Sequence, residues 1–425
     1  MANTPATRTT IANILKQMYA DGITAATKKQ VVLLELLERT AGKMSYGGES
    51  FIIPLEFNQM DSTGAREEDG TLPAAIPASW QRTVVPIYSN YFTITATGLS
   101  MATTKTDPMS FARIWGREAY IKTRAFRQHL NRQLNGDGNG ILAQVDGTPS
   151  IGGTYTTVTL DNAYGLSGYN NSAVNGHRFV TKSMLVDFYT SSTQRDSGAC
   201  PIYSITPGAF PTTSAYATFV NAYVASVADG DYMYVAGNYG NEIPGLRLMI
   251  DDGTVAATFQ SLSTTTYPEH KAHVHYGATP GTAEAITTNR IQNLIDDIES
   301  YGGGNVDFMT TSNAVYLSIG EMMRQENMIT NMGKKLDTGW SVIEFNGIPI
   351  YKDPYSIDHL YMIDKRAIKL FEAAPQGWLD YSTVIQQEAN KDNWTSYWAW
   401  YMTPGTINRQ WLGKMQDISV TSNKF

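Results

Sequence analysis

One stretch limits the architecture more than any other: Asp107 and Pro108 open a helical pattern that runs to Asn135 and stops at Gly136. Asp favours the N-cap, Pro fits the first helical position, and Gly ends a helix by turning left-handed. The spacing predicts one helix over 107–135, roughly 40 Å long at 1.5 Å per residue. Its apolar positions Phe111, Ile114, Trp115, Tyr120, Ile121 and Leu130 cover only part of the surface. Arg113, Arg117, Lys122, Arg124, Arg127 and Arg132 face elsewhere with little acid nearby. Such a face is either solvated or meets acidic surfaces of neighbouring subunits.

The segments on either side of this rod have a different texture. Upstream, Ile11, Ile14, Leu15, Met18, Val31, Leu34 and Leu37 recur at helical spacing, which predicts two helices between Thr10 and Arg39, broken near Asp21-Gly22. Glu49 to Phe57 carries β-formers, Asp61 to Gly70 is a polar tip, and the chain returns past Pro73, Pro77 and Pro86 into a strand over Tyr88–Thr97. This reads as a long projecting β-loop with Arg66, Glu67, Glu68 and Asp69 at its tip. It is either a mobile hairpin or a clasp that reaches another subunit.

Downstream, Leu142 to Tyr239 is rich in Gly, Ser, Thr, Asn and Tyr, with short alternating runs such as Thr154–Leu160 and Tyr232–Val235. Short strands between turn residues predict an inserted β-sandwich or barrel. Helical spacing resumes over Thr287–Tyr301, stops at Gly302-Gly303-Gly304, and leads through a buried strand, Val306–Thr310, into a helix ending near Met323. The fold class is α+β.

Composition removes several functions. With 42% hydrophobic and 17% charged residues over 425 positions, global disorder is excluded and two to four packed units are expected. A net charge of -7 argues against a protein built to grip phosphates. The single cysteine, Cys200, rules out an intrachain disulfide, so a reducing cytoplasm is expected. No apolar run reaches the ~20 residues of a membrane span, and no signal peptide is read at the N-terminus.

The chemistry on offer is thin. His270, His273 and His275 include a His-x-His that would put two imidazoles on one strand face, yet only Glu269 is local as a further ligand, so a polar strand or loop is the reading. Gly136-Asp-Gly138-Asn-Gly140 follows a helix and is a cap and turn, whereas a dinucleotide cradle must follow a strand. Asp251-Asp252 and Asp296-Asp297 read as solvated pairs. No catalytic, metal or cofactor site is expected, and the chain does not read as an enzyme.

The order of elements, together with four segments, resembles the major capsid proteins of tailed bacteriophages, the Hong Kong 97 phage fold. The segments are Leu130–Gly140; Asn238–Leu246 followed by Asp251–Gly253; Ile291–Ser312; and Phe345–Ile350 followed by Leu360–Asp364. The resemblance implies an N-terminal arm over 1–48, an extended loop with flanking strands over 49–104 and a spine helix of the peripheral domain over 105–141. It further implies an inserted β module over 142–240, a peripheral and axial domain over 241–394, and C-terminal peripheral strands over 395–425.

It implies a shell of hexamers and pentamers enclosing double-stranded DNA in a virion assembled in the host cytoplasm. Packaged DNA would be contacted weakly, no membrane is involved, a separate scaffolding protein and a portal would be partners, and a decoration protein is a further candidate. Candidate contacts between subunits are Arg66, Glu67, Glu68, Asp69, Arg113, Arg117, Arg124 and Arg127. Some members weld neighbours through a lysine on the extended loop; Glu49 to Ser100 contains none, so a non-covalent shell is expected. Two other readings stand beside this one: an encapsulin-like cellular compartment, and a β-rich surface-binding protein.

Overall fold

The long helix spans Ile114–Asn135 and ends where Gly136 N–H turns back to the Gln133 carbonyl. A computed structural model describes residues 31–40, 43–45, 50–58, 64–74, 79–100, 114–166, 176–196, 198–208, 214–220, 224–325, 343–379 and 385–420. The expected helices before Val31 and the Asp107 cap lie outside those residues. The described residues form one compact unit.

The long helix packs across the edge strand Ser89–Thr97 of a five-stranded sheet, with Phe92 and Phe126 5.4 Å apart. Phe126, Leu130 and Leu134 recur every four residues and are buried. Tyr120, expected on the apolar face, is instead 60% exposed. It lies six residues before Phe126, about one and two-thirds turns away, and so emerges on another side. A short helix, Leu33–Thr40, sinks Leu33, Leu34, Leu36 and Leu37 into the same core. Burial at about 1.5–3 kcal/mol per leucine holds a helix that would be marginal alone.

Strands Ser50–Asn58 and Ser79–Pro86 form a two-stranded antiparallel ribbon, as the β-loop predicts. Its inner face, with Phe51, Ile53, Leu55 and Val85, packs on Phe371 and Ile407. An isolated hairpin is marginal in water, so this one-sided anchorage is what keeps the ribbon formed.

All nine strands of a separate antiparallel sheet come from residues 141–235. Tyr155–Asp161 alternates half-buried and buried positions, as its sequence alternates. Where a β-sandwich or barrel is expected, Tyr232–Val235 pairs with both Ile141–Val145 and Leu185–Thr190, so that the strands form one hydrogen-bonded sheet.

A six-stranded mixed sheet carries the helices Thr288–Gly302 and Asn313–Gln325. Thr287 caps the first through Arg290 N–H, and Gly303, at φ 65°, closes it. The predicted strand here is Phe308–Thr311 and is buried throughout.

Candidate functional site

The ribbon's second face is open. Register pairs Ile52 with Val84, Pro54 with Arg82, and Glu56 with Trp80, and five of these six residues are exposed, Ile52 at 51% and Trp80 at 62%. Side chains two apart on a strand share a face, so Ile52, Pro54 and Trp80 make one apolar patch flanked by Glu56 and Arg82. Beyond the ribbon, residues 64–72 are all exposed, with Leu72 at 82%.

Arg66, Glu67, Glu68 and Asp69 therefore stand in solvent. Arg66 turns back to its own loop, its Nε donating to the Thr71 carbonyl at 2.9 Å, and Gly70 N–H donates to the Glu67 carbonyl. Asp69 takes a left-handed backbone, φ 75°. The three carboxylates on this turn form no ion pair among the described residues.

The candidate residues of the long helix divide. Arg113 lies outside the described residues, as does the side chain of Arg117. Lys122 is exposed and Arg124 half-buried. Arg127 is engaged within its own chain, forking onto Glu38 of the short helix with N–O distances of 2.8 and 3.2 Å. Among the described residues, no ion pair joins the loop tip to the helix.

The end of the same helix behaves in the opposite way. Asn131, Arg132, Gln133, Leu134 and Asn135 are all buried. Arg132 pairs with the buried Glu242, and Asn238 Nδ2 bridges Glu242 and His129 Nε2 at 3.0 Å each. Burial, with the Arg132 guanidinium beside it, holds the His129 pKa down to about 4. Arg247 pairs with Asp137. Gly245 lies so close to the carbonyls of Gln133, Leu134 and Gly136 that no β-carbon fits there. Two of the segments singled out in the sequence, 130–140 and 238–246, thus meet face to face.

Next to this lies Asp353, fully buried, with its pKa raised by desolvation. Its carboxylate accepts from Asn131 Nδ2, from Leu33 N–H and from Tyr355 N–H. Arg178, next to Phe179 of the nine-stranded sheet's apolar core, donates from Nε to the Pro354 carbonyl at 2.9 Å. Sequence reasoning singled out the segments that hold Asn131, Asn135 and Glu242 but gave these side chains no role, and it passed over Arg178 and Asp353. The available signal was the amide-rich last turn of an amphipathic helix, Asn-Arg-Gln-Leu-Asn.

The histidine cluster disperses. His270 is buried against Phe259, and burial lowers its pKa to about 4. His273 and His275 share a strand, with His275 Nε2 2.6 Å from Asp297 Oδ2. Among the described residues, no group of three or more His, Cys, Asp or Glu is placed to hold a metal ion. Asp251, expected in solvent, is instead fully buried. It accepts from Gly253 and Val255 N–H and lies 3.5 Å from Lys414 Nζ, while Arg409 donates to the carbonyls of 248, 249 and 251. Cys200 is buried, and desolvation pushes its thiol pKa up to about 12.

No protein-family profile matches the sequence, and no curated protein matches it. The fold does have relatives. The capsid asymmetric unit of cyanophage A-1(L) matches with a TM-score of 0.60 at 12% identity, over 97% of this chain and 99% of that one. The two share a fold. A structure from Microbacterium phage Oxtober96 matches at TM-score 0.50 and 9% identity, over 95% and 93% of the two chains. The SrpI encapsulin complex of Synechococcus elongatus gives 0.49 at 6% identity, over 99% and 98%. The mixed helix and sheet architecture of this chain is thus that of a solved phage capsid structure along almost its whole length.

Proposed function

We propose that this chain is the major capsid protein of a tailed phage, a non-enzymatic subunit that assembles into hexamers and pentamers of an icosahedral shell around double-stranded DNA. The observation that carries the proposal is the end-to-end fold likeness to the cyanophage A-1(L) capsid structure. The open ribbon supports it, since an apolar patch on a projecting two-stranded element gains stability when another surface covers it.

On this reading, 49–104 is the extended loop of the Hong Kong 97 fold, 105–141 the spine helix, 142–240 an inserted β module that braces the shell, and 241–394 with 395–425 the axial and peripheral parts. Residues 1–48 are the arm, although Val32, Leu33, Leu34, Leu36 and Leu37 are already core. The carboxylates of Glu67, Glu68 and Asp69 in one copy oppose Lys122 and Arg124 of the next, with Arg113 and Arg117 as further candidates. Arg66 holds the tip turn, and Arg127 fixes the helix to Glu38. The net charge of -7 keeps contact with packaged DNA weak. A separate scaffolding protein, a portal and a decoration protein complete the set of partners in a virion assembled in the host cytoplasm.

Electron microscopy of the chain expressed alone and with a scaffolding protein tests this. Closed icosahedral shells, or capsomers that convert to shells with scaffold, are expected; a monomer under both conditions would overturn it. DNA inside particles from infected cells, rather than a cargo enzyme, separates a virion from a cellular compartment. Denaturing gels of mature particles should show single chains and no covalent ladder. Charge reversal of Glu67, Glu68 and Asp69 should abolish assembly, and reversal of Lys122 and Arg124 in the same chain should restore part of it.

A further inference from the structure

We propose that residues 353–358 act as a coupling latch, so that displacement of the chain at the short helix Leu33–Thr40 is felt in the nine-stranded sheet, and the reverse. The starting point is a helix that cannot cap itself. Val32 precedes Leu33, and a valine side chain offers no acceptor for the free N–H groups of a first turn. Those groups are satisfied from elsewhere: Leu33 N–H by Asp353 Oδ2 at 3.1 Å, and Leu34 N–H by Asn131 Oδ1 at 2.9 Å. Asn131 Nδ2 in turn donates to both Asp353 oxygens, at 3.1 and 2.9 Å. One carboxylate therefore joins the start of the short helix to the end of the long one.

Two residues further on, the same loop belongs to the sheet. Tyr355 and Ile357 are members of the sheet's own apolar core, and Tyr355 stacks on Phe179 at 5.9 Å. The Arg178 guanidinium donates to the carbonyls of Pro354 and Ser356, and the Tyr164 hydroxyl lies 2.9 Å from the carbonyls of both Tyr355 and Arg132. The loop between these two sets of contacts is short and internally tied, with Tyr355 N–H on Asp353 Oδ1 and Ser356 N–H on the Asp353 carbonyl. All of these residues but the half-buried Pro354 are buried, where an abandoned donor or acceptor costs about 1–3 kcal/mol. Neither side can release the loop without stranding polar groups on the other. Coupling of this kind is reciprocal.

Hydrogen exchange on the full-length chain tests both directions. Glu38→Gln weakens the fork that holds the short helix from its outer side; Tyr164→Phe removes one hydroxyl on the sheet side. The latch predicts that Glu38→Gln speeds exchange at 176–180 at least threefold, and that Tyr164→Phe does so at 34–37, with amides of Phe308–Thr311 unchanged. Should Glu38→Gln fail to fold, Arg127→Lys applies the same perturbation more gently. Acceleration confined to the mutated side, or equal acceleration that includes Phe308–Thr311, would overturn the proposal. The test reads a single chain, so it stands or falls separately from assembly.

Discussion

The ribbon and the junction around Asp353 invert the usual placement of residue types. At the ribbon, Ile52 and Trp80 face solvent. At the junction, Arg132, Glu242, Asn131 and Asp353 are sealed inside with their partners. Exposed apolar surface is stability not yet realised within one chain, whereas a buried polar network has nothing left to gain from a partner and serves to fix geometry. The molecule therefore separates its surfaces for association from the parts that hold those surfaces in place.

The largest effect should come from breaking the junction. Glu242→Ala leaves Arg132 buried without its carboxylate and takes an acceptor from Asn238, and loss of one partner of a buried pair typically costs about 3–5 kcal/mol. Urea unfolding should show a lowered midpoint at unchanged slope. Leu134→Ala, in the same helical end but apolar, should cost about 2–5 kcal/mol by leaving a cavity. If the two losses add, the polar and apolar parts of the junction are independent; a marked shortfall means that they open together.

Acid distinguishes the two regions by a different route. His129 and His270 are held to about 4, below the ordinary histidine value of 6.5, so the unfolded chain binds protons first as pH falls. Their contribution is complete above pH 6.5 and is lost progressively down to about pH 4. Asp161 has the opposite sign. Burial beside Asp146 and Asp229 raises it to about 6, so the folded state takes up that proton first and gains stability below pH 6. Denaturation midpoints measured between pH 7 and 4 should fall, more steeply in Asp161→Asn and less steeply in His129→Gln. The ribbon contributes no histidine to this profile.

How much of this could be read from residues alone follows the same division. The stop at Gly136, the helical pattern that begins at Thr287, the ribbon and the alternating strands between 141 and 235 were legible because each is decided by neighbours a few positions apart. The ribbon's tip was legible for the same reason, being polar and bounded by turn residues. The junction was not. Asn131 and Arg132 look like an ordinary solvated helix end until Asp353 and Glu242, more than a hundred positions away, come to meet them. Asp251 was misplaced in solvent because its partner Lys414 arrives from the last strand of the six-stranded sheet. Phe126 and Tyr120 are equally good continuations of the apolar stripe, and only the strand beneath the helix selects between them.

The smallest effect on the single chain should be the most informative about association. Trp80→Ser should change unfolding free energy by no more than about 0.5 kcal/mol, because the side chain packs on little within its own chain. Sedimentation of assembly reactions should nevertheless show fewer large species. A large loss of chain stability would mean that the patch is already internal, and the contrast drawn above would fail.

Cys200 has a practical consequence. Its thiol is shut within the sheet and carries almost no thiolate at neutral pH, so alkylating reagents should pass it by while the fold persists. With no other cysteine in the chain, the protein is a silent background for site-selective labelling. A fluorophore attached through Trp80→Cys would report the covering of the ribbon in real time, without first removing a native thiol.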